Sequence, residues 1–175
     1  GESSAAGADF LSDVCAQWEK ATQPAIGVGI RVIHARFGMV LSTKGGALAK
    51  MLPPFKLGLG GPIGSGRQVM SWVALEEIPL AIQHLLETEN ISGAVNMVSP
   101  QAVSNLEFTK ALGKIIRRPA VFPLPDVIVK LLFGEMGETL LLGGQKVLPK
   151  KLIDSGYQFR YSSLEEALTA LIRNP

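Results

Sequence analysis

Apolar positions along the chain follow two alternating spacings. Leu11, Val14, Cys15 and Trp18 recur at i, i+3, i+4 and i+7, which predicts a helix over 9–22 capped by Asp9 or Ser4. Gly27–Ile33 is a short β-branched run and reads as a strand, and Arg36–Leu41 continues it or forms the next. Gly45–Phe55 has helical spacing until Pro53-Pro54 breaks it. Met70–Leu75 reads as a strand, and Ile78, Ala81, Ile82, Leu85 and Leu86 give one face of a following helix. Gly93–Val98 is a further buried strand. Ser104 and Glu107 form a capping box ahead of a helix whose apolar face is Phe108, Ala111, Leu112, Ile115 and Ile116.

After Arg118 the pattern changes. Pro119, Pro123 and Pro125 punctuate the chain, and short helical pieces are expected at about 125–133, 136–143 and 149–154, the last ended by Gly156. Tyr157–Tyr161 reads as one short strand, and Ser163 with Glu166 caps a final helix with Leu164, Ala167, Leu168, Leu171 and Ile172 on one face. Strands alternating with helices before 118 are the signature of parallel βα units. The expected organisation is therefore a parallel α/β portion over 1–118 and a small, mostly helical domain over 119–175.

Composition narrows the function classes. With 47% hydrophobic and 18% charged residues the chain is globular rather than disordered. A net charge of +2 gives no argument for a nucleic-acid or membrane partner. The single cysteine, Cys15, excludes an intrachain disulfide and any cysteine-based zinc cluster. Apolar runs fall short of the roughly 20 residues that span a bilayer. GESSAAGADF has neither a basic nor an apolar leader region, so no signal peptide is expected and a cytoplasmic location is. An organellar location is the alternative, because a transit peptide would lie upstream.

The glycine-rich stretch Leu57–Arg67, five of whose eleven residues are glycine, is the most conspicuous candidate for chemistry. Gly61–Gln68 has the glycine spacing of a phosphate-binding loop, but Arg67-Gln68 stands where Lys-Ser/Thr would meet phosphate and magnesium. A strand follows the loop, so no helix N-terminus faces an anion. A dinucleotide fingerprint fails too, because the loop follows Pro53-Pro54. What remains is a loop whose Gly64 and Gly66 let backbone approach a ligand and whose Arg67 can grip a diphosphate, or else a surface loop with a salt-bridged arginine.

Arg36, inside an apolar strand pattern, is expected to be buried and to need a carboxylate or phosphate partner. His34 and His84 read as structural or surface histidines. Cys15, Trp18 and Trp72 read as core. Glu76-Glu77 reads as an acidic helix start, and Arg117-Arg118 as a cationic helix end.

ADFLSDVCAQWE, RFGMVLSTKGGALAKMLPPFKLGLGGPIGSGRQVMSWV, GAVNMVSP and NLEFTKALGKIIRRPA resemble the atypical extended short-chain dehydrogenase/reductases. More narrowly they resemble the sugar-epimerase-like subfamily often named cell-division inhibitor. The tail from LPDVIVKLLFGEMGETLLLGGQKVLPKK to SSLEEAL resembles that subfamily's small C-terminal domain of unknown function. The fold this implies is the C-terminal half of a Rossmann-type doubly wound α/β domain plus a small helical domain. The cofactor it implies is NADP, held only together with an N-terminal half of the same fold that nothing in these residues matches.

The resemblance also assigns residues. Glu19 falls on the cofactor side, towards NADP, and Arg36 matches the arginine that ends the strand beside the nicotinamide pocket. Arg67, with Gly64 and Gly66, falls where extended members meet a substrate diphosphate, so a nucleotide-sugar-like small molecule is the implied partner. Glu76 and Glu77 take the acidic places of a VHVDDV-like segment. Active reductases carry Tyr-x-x-x-Lys on the helix that here spans 9–22, where the lysine lowers the tyrosine pKa and the tyrosine moves the proton. Aligned through Glu19, those positions hold Leu11 and Cys15, so no catalytic residue is assigned in this chain. The implied function is that of an NADP-dependent nucleotide-sugar epimerase or oxidoreductase-like protein, with a non-catalytic NADP(H) or nucleotide sensor, or a regulatory partner in cell or organelle division, as alternatives.

Overall fold

The structure is a computed structural model that describes residues 1–5, 7, 9–125 and 143–173. The chain opens with α1 (Phe10–Lys20), whose N-cap Asp9 accepts from Ser12 N at 2.7 Å, and a short α2 (Gln23–Gly27) started by Pro24. Two strands, β1 (Ile33–Phe37) and β2 (Met39–Leu41), are separated only by Gly38. They lead into α3 (Gly46–Lys56) and the glycine-rich loop. β3 (Val69–Met70), β4 (Trp72–Ala74) and α4 (Glu77–Glu87) follow, then β5 (Gly93–Met97), β6 (Val103–Ser104) and α5 (Asn105–Ile116). The chain ends in α6 (Lys150–Asp154) and α7 (Leu164–Arg173).

β1 runs parallel to β5, from Ile33 opposite Gly93 to Phe37 opposite Met97. β2 runs parallel to β4, with Met39 opposite Trp72. One extended stretch therefore changes partners at Gly38. A Cβ there would stand 2.5 Å from the Ser71 carbonyl oxygen and 2.7 Å from Val98 Cγ1, so only glycine lets the backbones cross. β3 and β6 form a small antiparallel pair that brings the N-terminus of α5 beside the loop. Among the described residues no strand covers the second edge of β1.

The core lies in two clusters. Leu41, Leu48, Trp72, Phe108, Leu112 and Leu168 belong to the larger, which joins β2 and β4 to α3, α5 and α7. Val95, Met97, Ala81, Leu85, Leu152 and Tyr157 belong to the smaller, between β5, α4 and α6. Both clusters take side chains from either side of residue 118. The capping boxes at Ser104–Glu107 and Ser163–Glu166 form as the sequence predicts.

Several expectations need correction. Gly27–Ile33 is not a strand: Pro24 nucleates a turn of helix, Gly29 takes φ +85°, and pairing begins only at Ile33. Pro53-Pro54 does not end α3. The prolines lack N–H donors, but the Pro53 carbonyl still accepts from Leu57 at 3.1 Å, and Leu48, Leu52 and Phe55 bury one stripe to the end of the helix. Tyr157–Tyr161 joins no ladder: the Arg160 and Tyr161 N–H groups go to a side chain instead. The pieces expected at 125–133 and 136–143 lie almost wholly outside the described residues. Cys15 and Trp18 are not core: α1 buries no residue, and Trp18 is 73% exposed. Of that face only Val14 is half-buried. Trp72 is fully buried, as predicted.

The side chain that takes up those backbone donors is Glu77, only 3% exposed. Its carboxylate accepts from the Tyr157 hydroxyl, from Arg160 N at 3.2 Å and from Tyr161 N at 3.2 Å. Burial, and then the hydrogen bond to Glu77, push the Tyr157 hydroxyl well above its usual range, so it remains a donor. Glu77 thus ties the C-terminal segment to the α/β portion. Glu77→Ala strands these donors and is expected to lower unfolding stability by at least about 2 kcal/mol. Urea denaturation checks this, and an unchanged midpoint would contradict the tie.

Candidate functional site

The Glu19 and Arg36 side chains meet across α1 and β1. Arg36 Nε donates to Glu19 Oε1 at 2.6 Å and Nη2 to Oε2 at 2.7 Å, a bidentate pair. The arginine has the carboxylate partner that the sequence requires, but it is not buried, its side chain being 43% exposed. The long side chain reaches solvent while its head is gripped by Glu19. The Arg36 guanidinium holds Glu19 below the usual carboxylate range, and Glu19 raises Arg36 in return. His34 Nδ1 lies 4.0 Å from Glu19 Oε2, and its Nε2 meets Thr22 Oγ1 at 2.9 Å, so this histidine belongs to the same surface network.

Leu11, Cys15 and Glu19 follow one another at four-residue intervals on α1. Leu11 and Cys15 are exposed. Phe10, Trp18, Ile26, Val28, Ile30 and Phe37, from the same N-terminal elements, are exposed as well.

The second group of predicted residues lies apart. The glycine loop is pinned from two directions. Gly64 N donates to Leu124 O at 2.8 Å and Phe122 N to Gly60 O at 3.1 Å. A Cβ at Gly61 would fall 1.9 Å from Phe122 O. From the other side, Ile63 N donates to the buried Asn105 Oδ1 at 2.8 Å, and Leu106 N to Gly66 O at 2.9 Å. Gly64 and Gly66, at φ 56° and 68°, therefore serve the loop's own turn. Their N–H groups are used inside the protein, on Leu124 O and Ile63 O, rather than turned to a ligand. Arg67 is exposed, and its guanidinium makes no hydrogen bond or ion pair among the described residues.

Between the Gly38 crossing and the loop is a cleft of about 280 Å³. Phe37 and Met39 flank it at the C-terminal end of β1, Met51 comes from α3, and Ile63, Gln68 and Met70 from the loop and β3. Gly143–Val147 closes the far side. Ser71 straps that segment down: its hydroxyl donates to Gln145 O at 2.8 Å and accepts from Val147 N at 2.9 Å. Gly144 passes so close to β3 that a Cβ would lie 2.4 Å from Val69 N. Ser71, Asn105 and the three methionines were not singled out by sequence reasoning. Gly38 carried the one available signal, a glycine inside a strand pattern.

A parallel α/β unit with a cleft past the end of a strand has its cleft where open α/β sheets bind ligands. Residues 124–171 match the family described as a domain of unknown function, DUF1731. Epimerase family protein Mb2239 of Mycobacterium bovis is 46% identical over 167 residues, which make up 95% of this chain and 56% of that protein. Human epimerase family protein SDR39U1 (isoform 2), solved with NADPH, matches with a TM-score of 0.93 and 39% identity, over 99% of this chain and 59% of that one. A nucleoside-diphosphate sugar epimerase from Corynebacterium glutamicum matches with a TM-score of 0.75 and 32% identity, over 98% of this chain and 32% of that one. Nearly the whole of this chain is thus similar to one part of these epimerase family proteins, which is consistent with the atypical extended short-chain dehydrogenase/reductases. It spans about half the length of the curated relatives it matches.

The family's cofactor chemistry can be tested against the residues present. Glu19 and Arg36 neutralise each other, and the loop's glycine N–H groups are occupied, so these residues do not compose a dinucleotide site by themselves. Among the described residues no group of His, Cys, Asp and Glu could hold a metal ion, and no helix is long and apolar enough to cross a membrane.

The lowered Glu19 pKa has a pH consequence. Its ordinary value is 4.5, so the pair's contribution is fully present above about pH 4.5 and fades as pH falls through the lower folded value. Both side chains are partly exposed, which limits the contribution to under about 1 kcal/mol. Wild-type and Glu19→Gln proteins should therefore differ slightly in stability at pH 6, and the difference should shrink as the pH is lowered below about 4.5. Denaturation curves with a difference that grows on acidification would refute the assignment.

Proposed function

We propose that this chain forms the substrate side of an NADPH-linked, nucleotide-sugar-epimerase-like protein. The observation that carries this reading is the cleft past β1, built from the strand crossing and the pinned loop, with the uncommitted Arg67 on that same loop. Arg67 meets the diphosphate of a nucleotide-linked ligand. Glu19 and Arg36 form the wall towards the nicotinamide, and the remaining cofactor contacts come from a further unit of the same fold. The exposed apolar surface around α1 and the open edge of β1 support that completion.

A second reading has its own support. Leu11 and Cys15 occupy the places of the proton-transferring tyrosine and its lysine, and neither side chain can replace them: leucine has no proton to give and cysteine no fixed positive charge. A protein that binds NADPH and a nucleotide without converting them, as a sensor, follows from that pair.

Titrating the intact protein with NADPH, then adding UDP-glucose and following nicotinamide absorbance, separates the two. Binding with turnover supports the enzyme, binding without turnover supports the sensor, and no binding rejects both. Arg67→Ala should weaken a nucleoside diphosphate ligand by about 1.5–3 kcal/mol if the charged contact exists. Equal affinities in calorimetry would return Arg67 to a surface role.

A further inference from the structure

The lining of the cleft is unlike a sugar site. A hexose presents hydroxyls all round its ring, and each must find a donor or acceptor when it leaves water. Among the described residues that line the cleft, none is charged. Four carry polar side chains, and three of these are engaged in holding the walls. Ser71 Oγ bridges Gln145 O and Val147 N. Asn105 accepts from Ile63 N and donates to Met70 Sδ at 3.4 Å. Gln68 Nε2 donates to Ile63 O at 3.0 Å. The fourth, Gln145, lies on the exposed strap.

The apolar part of the lining includes three methionines beside Phe37, Ala47, Ile63, Val69 and Val147. Met39, Met51 and Met70 are each partly buried against the larger core cluster and each borders the cleft, and Phe37 stands at its mouth. Thioethers are polarisable, adapt to shape and make favourable contacts with aromatic rings. The volume, about 280 Å³, falls just under the roughly 300–1,000 Å³ of sites that enclose a drug-sized ligand. It fits one ring system and not a whole nucleotide sugar.

We infer that the cleft binds an aromatic group of its ligand, gripped by Met39, Met51 and Met70, and that it does not bind a sugar ring. The inference rests on reading the cleft as the substrate pocket, and it changes the substrate class of that pocket from glycosyl to aryl. The anionic part of the ligand stays outside, towards Arg67, because the methionine-lined interior offers an anion no cation.

Three probes test this in the intact protein saturated with NADPH: 1-naphthyl phosphate, glucose 1-phosphate and inorganic phosphate, each titrated by calorimetry. The naphthyl ester should bind at least about tenfold tighter than inorganic phosphate, and glucose 1-phosphate within about threefold of it. Met51→Gln, nearly equal in volume but polar, should cut the naphthyl-to-phosphate ratio below about threefold. Met39→Gln gives the same reading should the first variant fail to fold. A tenfold gain for glucose 1-phosphate, or none for the naphthyl ester, overturns the aromatic assignment while the pocket reading stands. An undiminished ratio in both variants, or no binding of any probe, overturns the pocket reading and the aromatic assignment with it.

Discussion

The structure depends on one close approach. At Gly38 an extended stretch leaves β5 and takes up β4, and it does so within van der Waals reach of the Ser71 carbonyl. Met39 N donates to that same carbonyl at 2.8 Å, so the crossing is locked by a hydrogen bond as well as by the absence of a side chain. The Ser71 hydroxyl, on the same residue, holds the strap at Gln145 and Val147. A single residue thus fixes both the step in the sheet and the far wall of the cleft. The cleft owes its place to this step, because β1 ends where the step begins.

Around that point the chain divides its polar groups between two uses. Buried ones are structural: Glu77 takes three donors from the C-terminal segment, and Asn105 anchors the glycine loop to the start of α5. Both obey the rule that a buried polar group must be partnered. Exposed ones are not consumed by the core: Arg67 on the loop, and the Glu19–Arg36 pair, which is satisfied within itself. That separation explains why the loop has the composition of a phosphate cradle without the behaviour of one. Its glycines are required by neighbouring backbone, most sharply at Gly61 against Phe122.

Periodicity was enough for α5, α7 and β5, which bury the face their spacing predicts, and for the existence of α1 and α4, although α1 buries no residue and α4 leaves Ile82 and Leu86 of its predicted face exposed. It failed where tertiary partners decide. Gly27–Ile33 has strand-forming residues but no strand to pair with, and Tyr157–Tyr161 gives its donors to a carboxylate that lies eighty positions away from Tyr157. Cys15 and Trp18 lie on an apolar helix face none of whose residues is buried, and no local pattern can report that. The Glu19–Arg36 contact was legible as a need for charge compensation. The methionine lining was not, because Met39, Met51 and Met70 come from three elements and converge only through the Gly38 crossing.

The central claim is that ligand enters the cleft at that crossing. Hydrogen–deuterium exchange of the intact protein, with and without NADPH and a nucleoside diphosphate, tests it at the level of single segments. The account predicts slower exchange at residues 37–41, 69–71 and 145–149. Protection confined to the shallow groove between α5 and α7, around Lys110, Lys114 and Glu165, or no protection in any of the three cleft segments, would contradict it.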